Sequence, residues 1–224
     1  MSLQPTIHPR VYRDEDDLFT PSLVPGTTVY GERLMREAGQ DFRAWNPRRS
    51  KLAALLLLLD APLVITEAAS VLYLGAGTGT TVSHVSDLVP DGVVYALEVA
   101  PRPFEKLLRL AQVRANLVPI MGDAREVEAY RDLVPEVDLL YQDVAQRDQT
   151  EILLRNLSFL RGDGIAILML KARSVDVSAA PDTLFRTARE EIEGAGIRVE
   201  RVIPLDPYQR DHAALLLRRP GQTH

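Results

Sequence analysis

The chain has 224 residues, of which 46% are hydrophobic and none is cysteine, and its formal net charge at pH 7 is −5. The missing cysteines exclude a disulfide framework, a thiolate metal site and a cysteine nucleophile. The negative net charge argues against a protein that holds nucleic acid by itself, because phosphate neutralisation normally requires a basic face.

The longest apolar run covers residues 52–59, which is far shorter than the roughly 20 residues that a membrane-spanning helix needs. A secretory signal has an apolar stretch after a basic start, and residues 1–13 show no such pattern. We therefore expect a cytoplasmic protein that does not associate with membranes.

Residues 1–49 are predicted to form a small, mostly β N-terminal domain. Proline and glycine interrupt short stretches in this region, which is typical of antiparallel strands and loops rather than of helices. The strand-like stretches are Arg10–Tyr12, Thr28–Tyr30 and Asp41–Trp45.

Residues 50–224 are predicted to form a second domain of the α/β class. Ser50 can cap a helix that runs to Asp60. From Val71 onward, apolar runs alternate with helix-length segments such as Arg102–Arg114 and Gln149–Leu160. The apolar runs are Val71–Leu74, Val93–Leu97, Leu117–Met121, Val137–Tyr141, Ile165–Leu170, Arg198–Ile203 and Ala213–Leu217. This alternation predicts a parallel sheet with helices on both faces.

The end of the chain separates two kinds of α/β sheet. Only residues 204–212 join the last two apolar runs, and this connection is too short for a crossover helix. The two runs are therefore predicted to form an antiparallel hairpin at the edge of the sheet. A dehydrogenase sheet usually continues with parallel units or a substrate domain. The Rossmann-like, seven-stranded sheet of class I S-adenosylmethionine-dependent methyltransferases ends in an antiparallel strand. The predicted hairpin therefore favours the methyltransferase sheet.

A glycine-rich turn follows the first apolar run. Gly75, Gly77 and Gly79 allow a sharp turn and a close approach of a ligand to the main chain, and Thr80 and Thr81 open the next helix. The dinucleotide-binding pattern G-x-G-x-x-G requires a third glycine where Thr80 stands. The pattern therefore disfavours NAD, while a tight turn without any ligand stays open as an alternative.

Acidic residues follow three successive strands. Glu98 can accept hydrogen bonds from both hydroxyls of a ribose, and Asp123 can bind an adenine amino group. Asp143 follows the fourth strand. Because the carboxyl ends of parallel strands meet at one edge of a sheet, these carboxylates surround one crevice. S-adenosylmethionine is cationic at its sulfur and at its amine, so acidic walls suit it better than they suit a pyrophosphate.

Five segments of the sequence resemble the fibrillarin family. They are Asn46–Ala54, Tyr73–Asp87, Asp143–Gln146, Lys171–Ser174 and Asp211–Ala213. The resemblance extends over nearly the whole chain, with the segments in the right order. Eukaryotic members carry a long Gly/Arg-rich N-terminal tail that this sequence lacks, so the chain resembles the archaeal form.

The resemblance implies an S-adenosylmethionine-dependent methyltransferase that modifies ribose 2′-hydroxyls in rRNA and tRNA. The implied catalytic residues are Lys51, Asp143, Lys171 and His212. Cofactor binding is expected from residues of the glycine-rich turn and of the strand ends, namely Gly75, Ala76, Gly77, Thr80, Thr81, Glu98, Val99, Asp123, Ala124, Asp143 and Gln146. The implied partners are a Nop5/Nop56/Nop58-type scaffold protein, a kink-turn-binding protein and a box C/D guide RNA. The two partner proteins would offset the lack of positive charge in this chain.

Two roles stay open for Lys171 in such a reaction. A ribose hydroxyl must lose its proton during or after its attack on the methyl group, and a neutral lysine amine could take that proton. A lysine ammonium would instead stabilise the developing alkoxide. Only three of the 26 basic residues are lysines, and Lys51 and Lys171 are two of them. This bias favours a role that arginine, which stays protonated in proteins, does not fill.

Other polar residues have less specific patterns. His212 could form a hydrogen bond with the substrate or orient a lysine, and the alternative is a solvated loop residue beside Asp211. His84 is expected to pack or to cap a helix. Arg48, Arg49 and Arg173 are candidates for contacts with RNA phosphates. Three other functions stay open: a methyltransferase with a protein or small-molecule substrate, a non-catalytic subunit, and an NAD-dependent dehydrogenase.

Overall fold

The computed structural model describes residues 2–15 and 17–218. Met1, Asp16 and residues 219–224, which fall within the two predicted domain ranges, lie outside the described residues. Among the described residues, no helix is both long enough and apolar enough to cross a membrane.

The N-terminal part of the chain forms a five-stranded antiparallel sheet with the strand order β1-β2-β3-β5-β4. Its strands are β1 (Gln4–Pro5), β2 (Tyr12–Asp14), β3 (Asp17–Pro21), β4 (Leu34–Glu37) and β5 (Gln40–Trp45). The predicted strand Asp41–Trp45 lies entirely within β5. Of the predicted strand Arg10–Tyr12, only the last residue is in a strand, because Arg10 lies in a turn with φ 56°.

The predicted strand Thr28–Tyr30 is wrong. The backbone amides of Val29 and Tyr30 donate hydrogen bonds of 2.9 to 3.1 Å to the carboxylate of Glu32. A side chain therefore takes the backbone donors that a neighbouring strand would need, and the segment forms a loop. The Tyr30 hydroxyl fixes this loop against β5 by donating to the carbonyl oxygen of Ala44 at 3.0 Å.

The rest of the chain forms a seven-stranded sheet with the strand order β11-β12-β10-β9-β6-β7-β8. Its strands are β6 (Ser70–Leu74), β7 (Val93–Glu98), β8 (Leu117–Met121), β9 (Val137–Gln142), β10 (Leu160–Lys171), β11 (Arg198–Pro204) and β12 (His212–Arg218). Neighbouring strands from β10 to β8 are parallel, whereas β12 is antiparallel to both of its neighbours. The predicted methyltransferase sheet with an antiparallel last strand is confirmed.

Six α-helices belong to this part of the described chain, and some are shorter than predicted. They are α1 (Lys51–Leu58), α2 (Thr80–Leu88), α3 (Pro101–Ala111), α4 (Gln149–Asn156), α5 (Ala172–Val175) and α6 (Pro181–Gly194). The helix predicted for Gln149–Leu160 ends early because Leu160 pairs with Val137 and begins β10. The helix predicted for Arg102–Arg114 also ends early, and the side chain of Arg114 turns into the interior.

Two hydrophobic cores cover the two faces of the seven-stranded sheet. Successive side chains of a strand point to opposite faces, so Val71 and Tyr73 belong to one core while Leu72 belongs to the other. The first core also contains Leu18 and Trp45 of the N-terminal sheet. This shared core holds the N-terminal sheet against α1 and α2, which border the candidate site.

Candidate active site

The glycine-rich turn has the close backbone approach that its sequence predicts. Gly75, Gly77 and Gly79 have φ angles of 82°, 57° and 90°, a region that favours glycine. A Cβ atom at Gly75 would lie 2.3 Å from the carbonyl oxygen of Asp143. Only glycine therefore lets the end of β6 lie this close to the end of β9.

The carboxylate of Glu98 lies beneath this turn and is largely buried. Its Oε2 accepts a 2.7 Å hydrogen bond from the amide of Gly77, and its Oε1 accepts a 2.8 Å bond from the amide of Ala100. An ionised carboxylate has about four lone-pair sites, so both oxygens can accept a further hydrogen bond. The position suits recognition of a pair of hydroxyls.

A cavity of about 310 Å³ opens at the carboxyl ends of β6, β7, β8 and β9. This volume falls within the range of about 300–1,000 Å³ that is typical of small-molecule sites. The residues predicted to bind a cofactor that line the cavity are Gly75, Gly77, Glu98, Val99, Asp123, Ala124, Asp143 and Gln146. The structure therefore brings these residues together around one cavity.

Three residues that were predicted to bind the cofactor do not line this cavity. Ala76 is buried under the turn, and Thr80 is the first residue of α2. Thr81 donates its hydroxyl to the Oγ atom of Ser50 at 3.0 Å. This bond ties the start of α2 to the start of α1, so Thr81 supports the geometry of the site from outside the cavity.

Arg125 is a site residue that the sequence did not reveal. Its Nε donates to Asp148 at 2.8 Å, its Nη2 donates to Gln146 at 2.8 Å, and its backbone amide donates to Asp123 at 2.9 Å. The hydrogen bond from this guanidinium lowers the pKa of the Asp148 carboxyl. Arg125 thus joins two lining residues of the cavity, whereas its sequence context is that of an ordinary solvated arginine.

Lys51 and Asp143 form an ion pair beside the cavity. The Nζ atom of Lys51 lies 2.5 Å from Oδ1 of Asp143, and both side chains are only partly exposed. Lys51 is the first residue of α1, which Ser50 caps. Asp143 is held at the end of β9 by a 2.9 Å bond from its amide to the carbonyl of Leu74. The start of α1 and the end of β9 therefore position the two members of the pair.

Lys171 and His212 lie opposite each other, at the end of β10 and the start of β12. Residues paired in this way have Cβ atoms about 4.5–5.5 Å apart. The buried side chain of Gln149 accepts a 3.0 Å bond from the amide of Lys171 and donates a 3.3 Å bond to its carbonyl oxygen. The backbone of Lys171 is thus held on both sides.

His212 lies within electrostatic reach of the other three predicted catalytic residues. Burial lowers its pKa below 6.5, the charges of Lys51 and Lys171 lower it further, and the Arg210 carbonyl and Asp143 oppose this shift. The ring is therefore neutral at pH 7. Nδ1 lies 2.7 Å from the carbonyl oxygen of Arg210, which only accepts hydrogen bonds. The proton consequently resides on Nδ1, and Nε2 is left as a hydrogen-bond acceptor.

The three arginines predicted to contact RNA have different surroundings. Arg173 donates to Asp211 at 2.6 Å and is therefore already paired. The guanidinium of Arg49 lies over the ring of Tyr30, with its Cζ atom 4.8 Å from the ring centroid. The side chain of Arg48 is exposed. Arg48 and Arg49 directly precede the start of α1, which carries Lys51.

A buried ionic network joins the N-terminal sheet to α2 and includes no residue of the candidate site. Arg43 on β5 lies 2.6 Å from Glu32 and 2.7 Å from Asp87, and Arg114 lies 2.7 Å from the second oxygen of Asp87. His84 is buried beside this network, and burial, with Arg43 and Arg114, lowers its pKa well below 6.5. The ring nitrogens of His84 lie 2.8 Å from the hydroxyl of Thr20 and 2.7 Å from that of Tyr30, so His84 has a structural role.

Comparisons with known proteins agree with this architecture. The Fibrillarin family model matches residues 5–220. A protein of Thermococcus onnurineus (strain NA1), named fibrillarin-like rRNA/tRNA 2′-O-methyltransferase, is 44% identical over 215 residues, which cover 94% of this chain and 95% of that protein.

Two solved structures are also similar. Aeropyrum pernix fibrillarin in complex with natively bound S-adenosyl-L-methionine has a TM-score of 0.87 and 42% identity, covering 97% of this chain and 98% of that one. A chain of the fibrillarin/Nop5p complex has a TM-score of 0.87 and 40% identity, covering 95% of this chain and 98% of that one. The chain therefore belongs to the fibrillarin family.

Proposed function

We propose that the protein transfers the methyl group of S-adenosylmethionine to ribose 2′-hydroxyls in rRNA and tRNA. The observation that carries this proposal is the cluster of Lys51, Asp143, Lys171 and His212 beside a cavity with three carboxylates. The activity named for the Thermococcus onnurineus relative supports the same reaction and the same substrates. We further propose that this activity is cytoplasmic, as the relation to the archaeal protein suggests.

The cavity has the chemistry that S-adenosylmethionine requires. Glu98 retains acceptor capacity for the two ribose hydroxyls, and Asp123 is available to the adenine amino group. The carboxylate of Asp143 also lines the cavity, and its negative charge favours a cationic ligand. When bound, the cofactor supplies an electrophilic methyl group. The natively bound cofactor of the Aeropyrum pernix relative supports this assignment.

The four polar residues have different roles in the reaction of the ribose hydroxyl. Nε2 of the neutral His212 accepts the hydroxyl proton as the ribose oxygen bonds to the methyl carbon. The bond between that carbon and the sulfonium sulfur breaks at the same time, and the sulfur leaves as a neutral thioether. The ammonium of Lys171 stabilises the negative charge that develops on that oxygen. Asp143 fixes the position of Lys51 through their ion pair and keeps a negative charge beside the cationic cofactor.

The pH dependence of the rate tests this division of roles. Because the pKa of His212 is lowered, the methyl-transfer rate is expected to rise through an inflection below pH 6.5 and to stay level above it. Single-turnover rates across acidic and alkaline pH measure this profile. In the variant His212→Gln, the rate should fall and the inflection should disappear. A rate that keeps rising towards about pH 10.4, where lysine amines titrate, would assign the base to a lysine instead.

We further propose that the protein works as the catalytic subunit of a box C/D guide ribonucleoprotein. The structure of the fibrillarin/Nop5p complex supports a Nop5-type scaffold as partner. The net charge of −5 favours a further protein, the kink-turn-binding protein, that supplies positive charge for RNA binding. A guide RNA would select the target by base pairing.

Reconstitution with one component omitted tests this assembly. Labelled methyl groups from S-adenosylmethionine should enter a guide-matched RNA when the chain, the scaffold protein, the kink-turn-binding protein and the guide RNA are all present. Omitting the scaffold or the guide RNA should reduce this label at the target to background. Equal label from the chain alone would contradict the need for these partners.

A further inference from the structure

A second cavity, here called the basic pocket, lies between the Thr28–Tyr30 loop, the start of α2 and the second half of α3. Its volume is about 580 Å³. The described residues that line it include four cations, Arg49, Lys106, Arg109 and Arg114, and they include no carboxylate. In a chain with a net charge of −5, this is a local concentration of positive charge that favours an anion.

Three of these cations lack an acidic partner among residues 2–15 and 17–218. Lys106 and Arg109 are exposed on α3, and the guanidinium of Arg49 lies over the ring of Tyr30. Exposed arginines elsewhere are often paired, such as Arg155 with Glu151 at 2.5 Å. The basic pocket therefore keeps charges that the protein itself does not neutralise.

Arg114 provides a second, independent observation. Its side chain is buried, and its Nη1 atom donates to Asp87 at 2.7 Å and to Ser83 and Ser86 at 3.0 Å. Its Nε and Nη2 atoms are buried without a hydrogen-bond partner. These two nitrogens form one edge of the guanidinium, the edge that binds two oxygens of a phosphate or carboxylate. Because Arg114 lines the basic pocket, an anion bound there lies near these two unpaired donors.

The basic pocket adjoins the candidate active site. Arg49 is two residues from Lys51, so their Cα atoms are at most about 8 Å apart. Thr80 in the pocket wall is followed by Thr81, which is bonded to Ser50. An anion in the pocket is thus close enough to belong to the molecule whose ribose lies beside Lys51.

We propose that the basic pocket binds a backbone phosphate of the RNA strand that carries the target ribose. This inference rests on the proposed function, because it assumes that RNA is the substrate. Arginine, lysine, threonine and tyrosine, all present in the wall, are the side chains that commonly contact nucleic-acid phosphates. The site contributes position rather than sequence preference, so base pairing with the guide RNA still selects the target.

The test combines a charge-removing variant with single neutral linkages in the RNA. The variant is Lys106→Gln with Arg109→Gln, two exposed positions whose replacement leaves the interior intact. The control is Arg198→Gln, since Arg198 is exposed at the start of β11, away from the pocket. Binding of target strands with one methylphosphonate linkage each is measured in the assembled complex without cofactor.

A methylphosphonate at one position near the target should weaken the binding of RNA to the wild type and to the Arg198→Gln control. The same linkage should not weaken binding to the double variant. The double variant should also show a salt dependence of log Kd that is shallower by about 0.7–0.9 per lost phosphate contact. Its affinity for S-adenosylmethionine should equal that of the wild type. Equal sensitivity of the wild type and the double variant at every linkage would overturn the proposal.

Two further outcomes separate this proposal from its alternatives. Weaker association of the double variant with the scaffold protein in the absence of RNA would mean that the pocket binds protein, and would overturn the phosphate site. Because binding is measured without turnover, an assembly that binds RNA as expected but does not methylate ribose would contradict the proposed function alone.

Discussion

Replacing Lys171 by alanine is expected to lower the rate of methyl transfer by about 10²- to 10⁴-fold, the usual contribution of a group that stabilises charge or moves a proton in the transition state. Gln149 holds the backbone of Lys171 on both sides, so the substitution removes the ammonium without moving β10. Cofactor affinity should therefore stay at the wild-type value. Single-turnover rates and calorimetric titration with S-adenosylmethionine measure the two quantities.

Lys171→Arg is the informative companion of this variant. Arginine keeps the positive charge but does not act as a base, so it should retain more activity than alanine if His212 takes the proton. Arg198→Ala, at an exposed position on β11, serves as the control and should keep the wild-type rate. An arginine variant as inactive as the alanine variant would make Lys171 the base, and a fully active alanine variant would remove Lys171 from the site.

Replacing Asp87 by alanine is expected to lower the free energy of unfolding by about 3–5 kcal/mol, the cost of removing one partner from a buried ion pair. Asp87 is fully buried and binds Arg43 and Arg114, one at each carboxylate oxygen. It also accepts hydrogen bonds from the hydroxyl of Thr20 and the amide of Leu23. Its loss leaves the buried guanidinium of Arg114 without its carboxylate partner, and Arg43 keeps only Glu32. Denaturant unfolding of both proteins measures the difference.

Glu151→Ala is the matched control for this stability prediction. Glu151 also pairs with an arginine, Arg155 at 2.5 Å, but both side chains are more than half exposed. An exposed i,i+4 pair on a helix contributes about 0.3–0.5 kcal/mol, so this variant should unfold almost like the wild type. If Asp87→Ala were no more destabilising than Glu151→Ala, the network would not be what fixes the N-terminal sheet to α2.

Much of the fold and part of the candidate site could be predicted from the sequence. Parallel strands end at one edge of a sheet, so strand-end positions alone predict that Glu98, Asp123 and Asp143 surround one cavity, and they do. The short connection between the last two runs correctly predicts the hairpin of β11 and β12. These inferences succeed because they depend on local pattern and on general rules of sheet topology.

Features that depend on long-range side-chain contacts could not be predicted in this way. Charged residues are mostly exposed in proteins, so nothing in the sequence marks Arg43 and Arg114 as buried. The loop at Thr28–Tyr30 has a strand-like composition, but the amides of Val29 and Tyr30 bind the carboxylate of Glu32 instead of a neighbouring strand. Pairing of β10 with β12 places Lys171 opposite His212. Apart from the family resemblance, nothing in the sequence indicates that these two residues lie in one site.

Methyl transfer to a target strand that differs at one atom tests the central claim most directly. The reconstituted assembly receives labelled S-adenosylmethionine and a guide-matched RNA with either a ribose or a 2′-deoxyribose at the target nucleotide. We predict label on the ribose strand and none on the deoxyribose strand, because the ribose 2′-hydroxyl is the proposed methyl acceptor. Equal label on both strands would place the methyl group on the base and would contradict ribose 2′-O-methylation.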